Sequence, residues 1–259
     1  MDTPQTARPR SVMRGRFITL EGGEGAGKTT QRARLVNALQ TRFRIAGQPV
    51  QALATREPGG SPGAETIRSL LVCGPGERWD DRTEALLHTA ARRDHVLRTI
   101  EPALAAGIWV VCDRFVDSTL AYQGWGHGLD TGDLRALHQF ACNGLMPDLT
   151  LLLDLPIRDG LARTRTREQG DQAAQRPETG QPGGQGRETA SPSARENRYE
   201  QMDLTFHERV RDGFLAIARS DPDRVRIEDA RCGEDELLCR LLGHVRAAFP
   251  ELEEGEPGS

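Results

Sequence analysis

Lysine is almost missing from this chain: among 34 lysines and arginines, Lys28 is the one lysine. A composition so biased toward arginine keeps a compact, rotatable ammonium at a single position, where a planar guanidinium is no equivalent. Cysteine is sparse and scattered. Cys73, Cys112, Cys142, Cys232 and Cys239 form no Cys-x-x-Cys pair, which argues for free thiols in a reducing cytoplasm over a disulfide or zinc framework. The six histidines are equally dispersed, none in a metal-type pair. No apolar run reaches the ~18 residues that span a bilayer. Residues 1–15 carry Arg8, Arg10 and Arg14 without an apolar core, so they read as a disordered leader and not as a signal peptide. Positive charge is not in excess either. A net charge of −4, with 28% of residues charged, excludes a global basic field that would wrap nucleic acid. The 259 residues suit one ample domain with additions.

What is present begins with the single lysine. Gly22-Gly23-Glu24-Gly25-Ala26-Gly27-Lys28-Thr29, followed by Thr30, fits the G-x-x-x-x-G-K-[ST] phosphate-binding loop. Phe17 to Leu20 before it reads as a short apolar strand. Thr30 to Ala46 after it carries Leu35, Val36, Leu39 and Phe43 at helical spacing. Strand, loop and helix in that order are what the chemistry needs: glycines let the backbone wrap a phosphate chain, and N–H groups point inward at a helix N-terminus. Lys28 then bridges the outer phosphates of a nucleotide, and the Thr29 hydroxyl holds Mg²⁺.

Further along, Pro49 to Thr55 reads as a second strand, Ala64 to Leu71 as a short helix, and Asp81 to Ala106 as a long helix with Leu86, Leu87, Ala90, Val96 and Leu97 on its buried side. Ile108 to Cys112 and Leu149 to Leu155 are continuous apolar strands, and Val225 to Ile227 is the last. Short helices cover Leu120 to Gln123 and Asp133 to Asn143. Continuous strands separated by helices predict a parallel sheet covered on both faces. Glu168 to Arg195 is built of Gln, Gly, Pro, Glu, Thr, Ser and Arg with almost nothing to bury, which predicts a disordered insertion. Helical periodicity resumes near Glu196 with Tyr199, Met202, Phe206, Val210, Phe214 and Ile217. A helix from Asp235 to Phe249 precedes an acidic tail, residues 251–259.

A phosphate loop alone does not separate GTPases, ATPases and kinases. The guanine-reading Asn-Lys-x-Asp is impossible with no second lysine. Leu151-Leu152-Leu153-Asp154-Leu155-Pro156 lacks the glutamate that large motor ATPases carry after this strand. A small-molecule kinase remains, and the surplus arginines suit a transfer between two anionic substrates.

Four stretches in order resemble bacterial thymidylate kinase: the loop with Glu24 inside it, Thr55 to Gly60 (Thr-Arg-Glu-Pro-Gly-Gly), Asp113 to Gly124 (Asp-Arg-x-x-x-Ser-x-x-Ala-Tyr-Gln-Gly), and Gly160 to Arg167. The resemblance runs from about residue 16 to 249, interrupted by the insertion. It implies a P-loop NTPase fold, a parallel five-stranded sheet flanked by helices with a helical lid over about 156–200, and one kinase domain over 16–250. It implies transfer from ATP-Mg²⁺ to thymidine monophosphate, and a homodimer. It also assigns roles. Glu24 approaches the acceptor nucleotide; Asp113 lies near Mg²⁺; Arg114 clamps the acceptor phosphate. Arg56 and Arg92, with Glu57, surround that phosphate and base, and Thr119, Tyr122 and Gln123 line the nucleoside. His88 stands where the family usually has a phenylalanine stacked on the base. With Gly25-Ala26 in place of a basic loop residue, a lid arginine supplies the transition-state cation, Arg167 first and Arg163 second. Arg163 and Arg167 are four apart, so a helix puts them on one face and Arg165 on another. Arg198 resembles a further arginine after the lid, although the family usually has an Asp where Asn197 precedes it. Another nucleoside monophosphate kinase, or a catalytically silent nucleotide-binding paralogue, stays open at this point; intact Lys28, Thr29, Asp113 and Arg114 speak against silence.

Overall fold

The computed structural model describes residues 13–72, 78–174, 199 and 202–255. In chain order the elements are β1 (Phe17–Glu21), α1 (Lys28–Arg42), β2 (Phe43–Ile45), β3 (Gln48–Pro49), β4 (Ala52–Arg56), α2 (Pro62–Val72), α3 (Asp81–His95) and, after a π-helical turn over Val96–Ile100, α4 (Glu101–Ala105). Then come β5 (Trp109–Asp113), α5 (Val116–Thr119), a second π-helical segment over Leu120–Gly126, α6 (Thr131–Cys142), β6 (Leu149–Asp154), α7 (Ile157–Ala174), α8 (Leu204–Ser220), β7 (Val225–Asp229), α9 (Glu234–Ala248) and β8 (Glu253–Glu254).

The main sheet is parallel and five-stranded, in the order β4-β5-β1-β6-β7. Its three central strands, β5, β1 and β6, are buried on both faces, and their side chains alternate between two cores. In β1, Ile18 and Leu20 join a core with α1 and α9 residues such as Leu35 and Leu241, while Phe17 joins the opposite core with Val96, Phe206 and Phe214. Successive connections leave β1 in opposite directions, to β4 and β5 on one side and β6 and β7 on the other. That reversal opens a crevice at the carboxyl ends of the strands, where ligands of open α/β sheets bind. The expected fold class holds.

Several local expectations change. The first helix stops at Arg42, and Phe43–Ile45 becomes a strand. Ala46 and Gly47, both at positive φ, make the two-residue turn that pairs Ile45 with Gln48. The expected strand from Pro49 therefore starts at Ala52 and ends at Arg56. The acidic tail is partly structured: Glu253 and Glu254 pair with Arg44 and Phe43, and Glu251 receives the Arg16 guanidinium at 2.7 Å. The leader is anchored at its end, where Gly15 N–H donates to Leu104 O at 2.8 Å and Arg14 pairs with Glu101 at 3.0 Å. Residues 1–12 lie outside the described residues.

The long helix from Asp81 presents a different face from the one its leucines suggest. Leu86 and Leu97 are each 54% exposed and Ala90 is exposed, while Glu84, Arg92 and His95 are buried. Polar side chains go inward here because Arg92 lines a polar cavity, while Glu84 and His95 bond to the lining residues Gln123 and Glu57 from behind. Helix α8 begins at Leu204, with Asp203 accepting from Phe206 N–H at 2.6 Å, so Tyr199 and Met202 precede it. Residues 168–174 of the expected disordered insertion are helical, as the end of α7. The remainder of that insertion, and Asn197 and Arg198, lie outside the described residues.

Candidate active site

The loop between β1 and α1 is held where only glycine fits. Gly22 (φ 135°) and Gly25 (φ 70°) adopt positive φ, and a Cβ on Gly25 would stand 2.2 Å from Gly160 O on α7. Helix α7 therefore packs its first turn directly on the loop. Helix α1 has no side-chain N-cap, which leaves its first-turn N–H groups for an anion. Lys28 Nζ donates to Gly22 O at 3.0 Å and Gly23 O at 2.7 Å, spanning the loop. Burial lowers its pKa to about 8; Arg114 adds to that, and Glu24, Asp113 and Glu21 oppose it.

One cavity of about 540 Å³ sits above the sheet crevice. It is lined by Glu24 to Thr30 of the loop and by Arg56, Glu57, His88, Arg92, Asp113, Arg114, Thr119, Tyr122 and Gln123. These expected site residues come from β4, α3, β5, α5 and the π-helical segment after α5, and the fold brings them to one place.

On the loop side, Thr29 Oγ1 donates to Asp113 Oδ2 at 2.8 Å. This hydroxyl and carboxylate offer the hard oxygen donors that suit Mg²⁺, which takes few protein ligands and keeps the rest as water and phosphate oxygens. Glu24 Oε1 accepts from Arg114 Nη2 at 2.7 Å and from the Tyr122 hydroxyl at 2.8 Å. Although burial opposes it, the Arg114 and Lys28 charges bring the Glu24 carboxyl down to about 2. The Arg114 guanidinium lies 5.0 Å from the Tyr122 ring centroid and donates to Gly22 O at 3.1 Å. Its φ of 69° turns the chain away from β5 and across the cavity.

On the other side of the cavity, Arg92 is locked in place. Its Nε donates to Glu57 Oε2 at 2.7 Å, and its Nη2 to Thr119 Oγ1 at 2.9 Å and Phe115 O at 3.1 Å. His95 Nδ1 meets the other Glu57 oxygen at 3.0 Å. Glu57 is buried and its carboxyl is held low by Arg92 and His95, against a desolvation cost. Arg56, by contrast, is exposed and pairs with Glu65 at 3.1 Å. His88 Nε2 lies 3.0 Å from the Tyr199 hydroxyl.

Of the arginines expected in a lid, Arg163 and Arg165 do not line this cavity. Arg163 Nη1 donates to Ala230 O at 3.1 Å, and Arg165 is exposed. Arg167 lies in α7; its side chain is outside the described residues.

Four polar residues of the cavity lining were not among the expected site residues. Arg32, Arg68, Ser118 and Tyr199 also line the cavity. Arg32, four residues after Lys28 on the same helix, was findable from helical spacing. Tyr199 was not: its periodicity with Met202 and Phe206 pointed to a core helix. Below the cavity, Glu21 accepts from Phe115 N–H and the Ser118 hydroxyl, and its carboxyl is pushed well up by burial and by Asp117. Asp117 in turn is paired with Arg224 at 2.6 Å.

The family model for thymidylate kinase matches residues 20–181 of this chain. The thymidylate kinase of Rhizorhabdus wittichii is 46% identical over 238 residues, covering 92% of this chain and 100% of that protein. That of Caulobacter vibrioides is 47% identical over 230 residues, covering 89% and 95%. The crystal structure of thymidylate kinase from Ehrlichia chaffeensis superposes with a TM-score of 0.63 at 29% identity, over 90% of this chain and 99% of that one.

Proposed function

The chain belongs to the thymidylate kinase family and converts thymidine monophosphate to the diphosphate with ATP, and we propose the following division of labour among its residues for that transfer. The phosphate loop, Gly22 to Thr30, binds the ATP phosphates through backbone N–H groups, and Lys28 leaves its carbonyl partners to neutralise the outer ones. Thr29 and Asp113 hold Mg²⁺, which offsets phosphate charge. Arg114 binds the acceptor phosphate, fixed in aim by Glu24 and Gly22 O, and Arg56 adds an exposed cation beside it. Arg92 acts by position. With its Nε and Nη2 committed to Glu57, Phe115 and Thr119, it forms a fixed positive wall next to the base.

Tyr122 packs under the sugar, while Thr119, Gln123 and His88 line the nucleoside. Arg167 supplies the cation at the transferring phosphoryl. The contact between Gly160 and the loop supports this, because positions 160, 163, 164 and 167 share one helical stripe and Arg167 lies about 10 Å along it. Direct in-line transfer needs no covalent intermediate, since positioning and charge stabilisation suffice.

The observation that carries the reading is the single cavity joining the Lys28 loop, the Thr29–Asp113 pair and the Glu24–Arg114–Tyr122 triad. An ADP-release assay with thymidine, uridine, deoxyuridine, cytidine, adenosine and guanosine monophosphates tests it. Thymidine monophosphate is expected to give the highest kcat/KM, and preference for a purine would overturn the acceptor-side roles.

We also propose a homodimer in the cytoplasm. No helix among the described residues is long and apolar enough to cross a membrane. Leu86 on α3, Leu97 on the π-helical turn that continues it and Phe140 on the neighbouring α6, at 54%, 54% and 87% exposure, support an apolar face that a second copy covers. Sedimentation of the wild type against a Leu97→Asp, Phe140→Asp variant checks it; identical monomer profiles would remove the dimer.

A further inference from the structure

Gln123 lines the cavity from the π-helical segment after α5, but its amide is held from behind. Its Nε2 donates to Glu84 Oε1 at 2.9 Å and lies 3.3 Å from the Tyr199 hydroxyl. Glu84 is 1% exposed, on the buried face of α3, and the same Oε1 accepts from the Tyr199 hydroxyl at 2.6 Å. Glu84 Oε1 thus accepts from both partners, whereas a carboxamide offers two N–H donors at one end and a carbonyl at the other. The carboxylate therefore decides which end of Gln123 turns toward it, and that end is the nitrogen. The carbonyl oxygen is left for the cavity, and among the described residues no hydrogen bond is made to it.

We infer that Glu84 is a positioning residue for base selection: by capturing the Gln123 amide nitrogen, with Tyr199 as the second partner, it presents the Gln123 carbonyl to the acceptor base as a hydrogen-bond acceptor. This rests on the reading that Gln123 faces the base. The chemistry that follows is selective. Thymine and uracil carry an N–H at ring position 3, which an acceptor satisfies. Cytosine has a bare nitrogen there, so the two acceptors would face each other in a desolvated site. A site built around a hydrogen bond rejects a base that lacks the partner, because a buried polar group is left unpaired. Glu84 itself does not line the cavity and acts through Gln123.

The test uses the full chain and compares deoxyuridine with deoxycytidine monophosphate, which differ only on the edge in question. Glu84→Gln substitutes a group of the same shape that offers either a donor or an acceptor, so the Gln123 amide is free to turn over. The ratio of kcat/KM for the two substrates is expected to fall about tenfold or more, mostly through KM, with kcat for thymidine monophosphate within about threefold of wild type. Tyr199→Phe removes one oxygen and is expected to lower the ratio about threefold. It carries the test alone if circular dichroism shows that Glu84→Gln does not fold. Equal losses on both substrates in these variants would mean a purely structural role and overturn the inference. Gln123→Leu separates the layers. If it leaves KM for thymidine monophosphate unchanged, Gln123 does not face the base and both readings fail. If it raises that KM while Glu84→Gln and Tyr199→Phe keep the wild-type ratio, only the positioning inference falls.

Discussion

Thr29 and Asp113, 84 residues apart in the chain, meet through a 2.8 Å hydrogen bond from the threonine hydroxyl to the carboxylate. One opens α1 and the other closes β5, and β5 lies beside β1 in the sheet. The neighbouring strands thus bring a hydroxyl and a carboxylate to the same spot, close to Lys28.

Lys28→Ala is expected to lower kcat by ~10²-fold or more, because it removes a cation at the outer phosphates. Its ammonium touches the loop carbonyls of Gly22 and Gly23 and no core side chain, so far-UV circular dichroism should be unchanged. Near-wild-type turnover would sink the phosphate-loop assignment.

The Lys28 pKa of about 8 gives a pH signature. Binding phosphate requires the charged form, and in the free enzyme that form is lost as pH rises through 8. The kcat/KM for ATP should therefore fall between about pH 8 and 9.5, whereas kcat at saturating ATP should hold, because bound phosphates restore the charge. Initial rates across that range check it. A flat profile up to pH 9.5 would place the ammonium near its ordinary value of 10.5 instead.

Arg167→Ala should lower kcat far more than it raises KM for either nucleotide, as expected of a contact made mainly in the transition state. Arg165→Ala, on another face of α7, should be mild. Steady-state kinetics of the two proteins decide the matter, and equal defects would refute the face argument.

For His88→Phe two effects oppose each other. The larger ring adds ~0.5–1.5 kcal/mol of stacking on the base. Loss of the 3.0 Å contact with the Tyr199 hydroxyl removes a hydrogen bond of net worth about 0.5–1.5 kcal/mol. KM for thymidine monophosphate should thus stay within about threefold of wild type, while His88→Ala, which loses both, should raise it by roughly tenfold. If all three proteins share one KM, His88 is not at the base.

Much of this protein was legible in order of residues alone. The phosphate loop is a contiguous motif whose chemistry is local: three glycines at positive φ, one lysine and one threonine need only their neighbours to be recognised. The parallel sheet was legible because strands buried on both faces run nearly continuously apolar, as Trp109 to Cys112 and, apart from Thr150, Leu149 to Leu153 do. Tertiary structure decided what depends on pairing and on facing. Phe43 sits at helical spacing, yet it pairs with Glu254, more than two hundred residues away, because hydrogen bonding between strands carries no sequence periodicity of its own. The helix from Asp81 buries Glu84 and Arg92 and exposes Leu86 and Leu97. Periodicity finds a helix's apolar stripe, but not whether that stripe meets a core or a polar cavity takes the other face. Tyr199 was assigned to a helix by its spacing and instead joins Glu84, His88 and Gln123. Their partnership depends on directions in space between residues 76 to 115 positions apart, and no linear pattern records those directions.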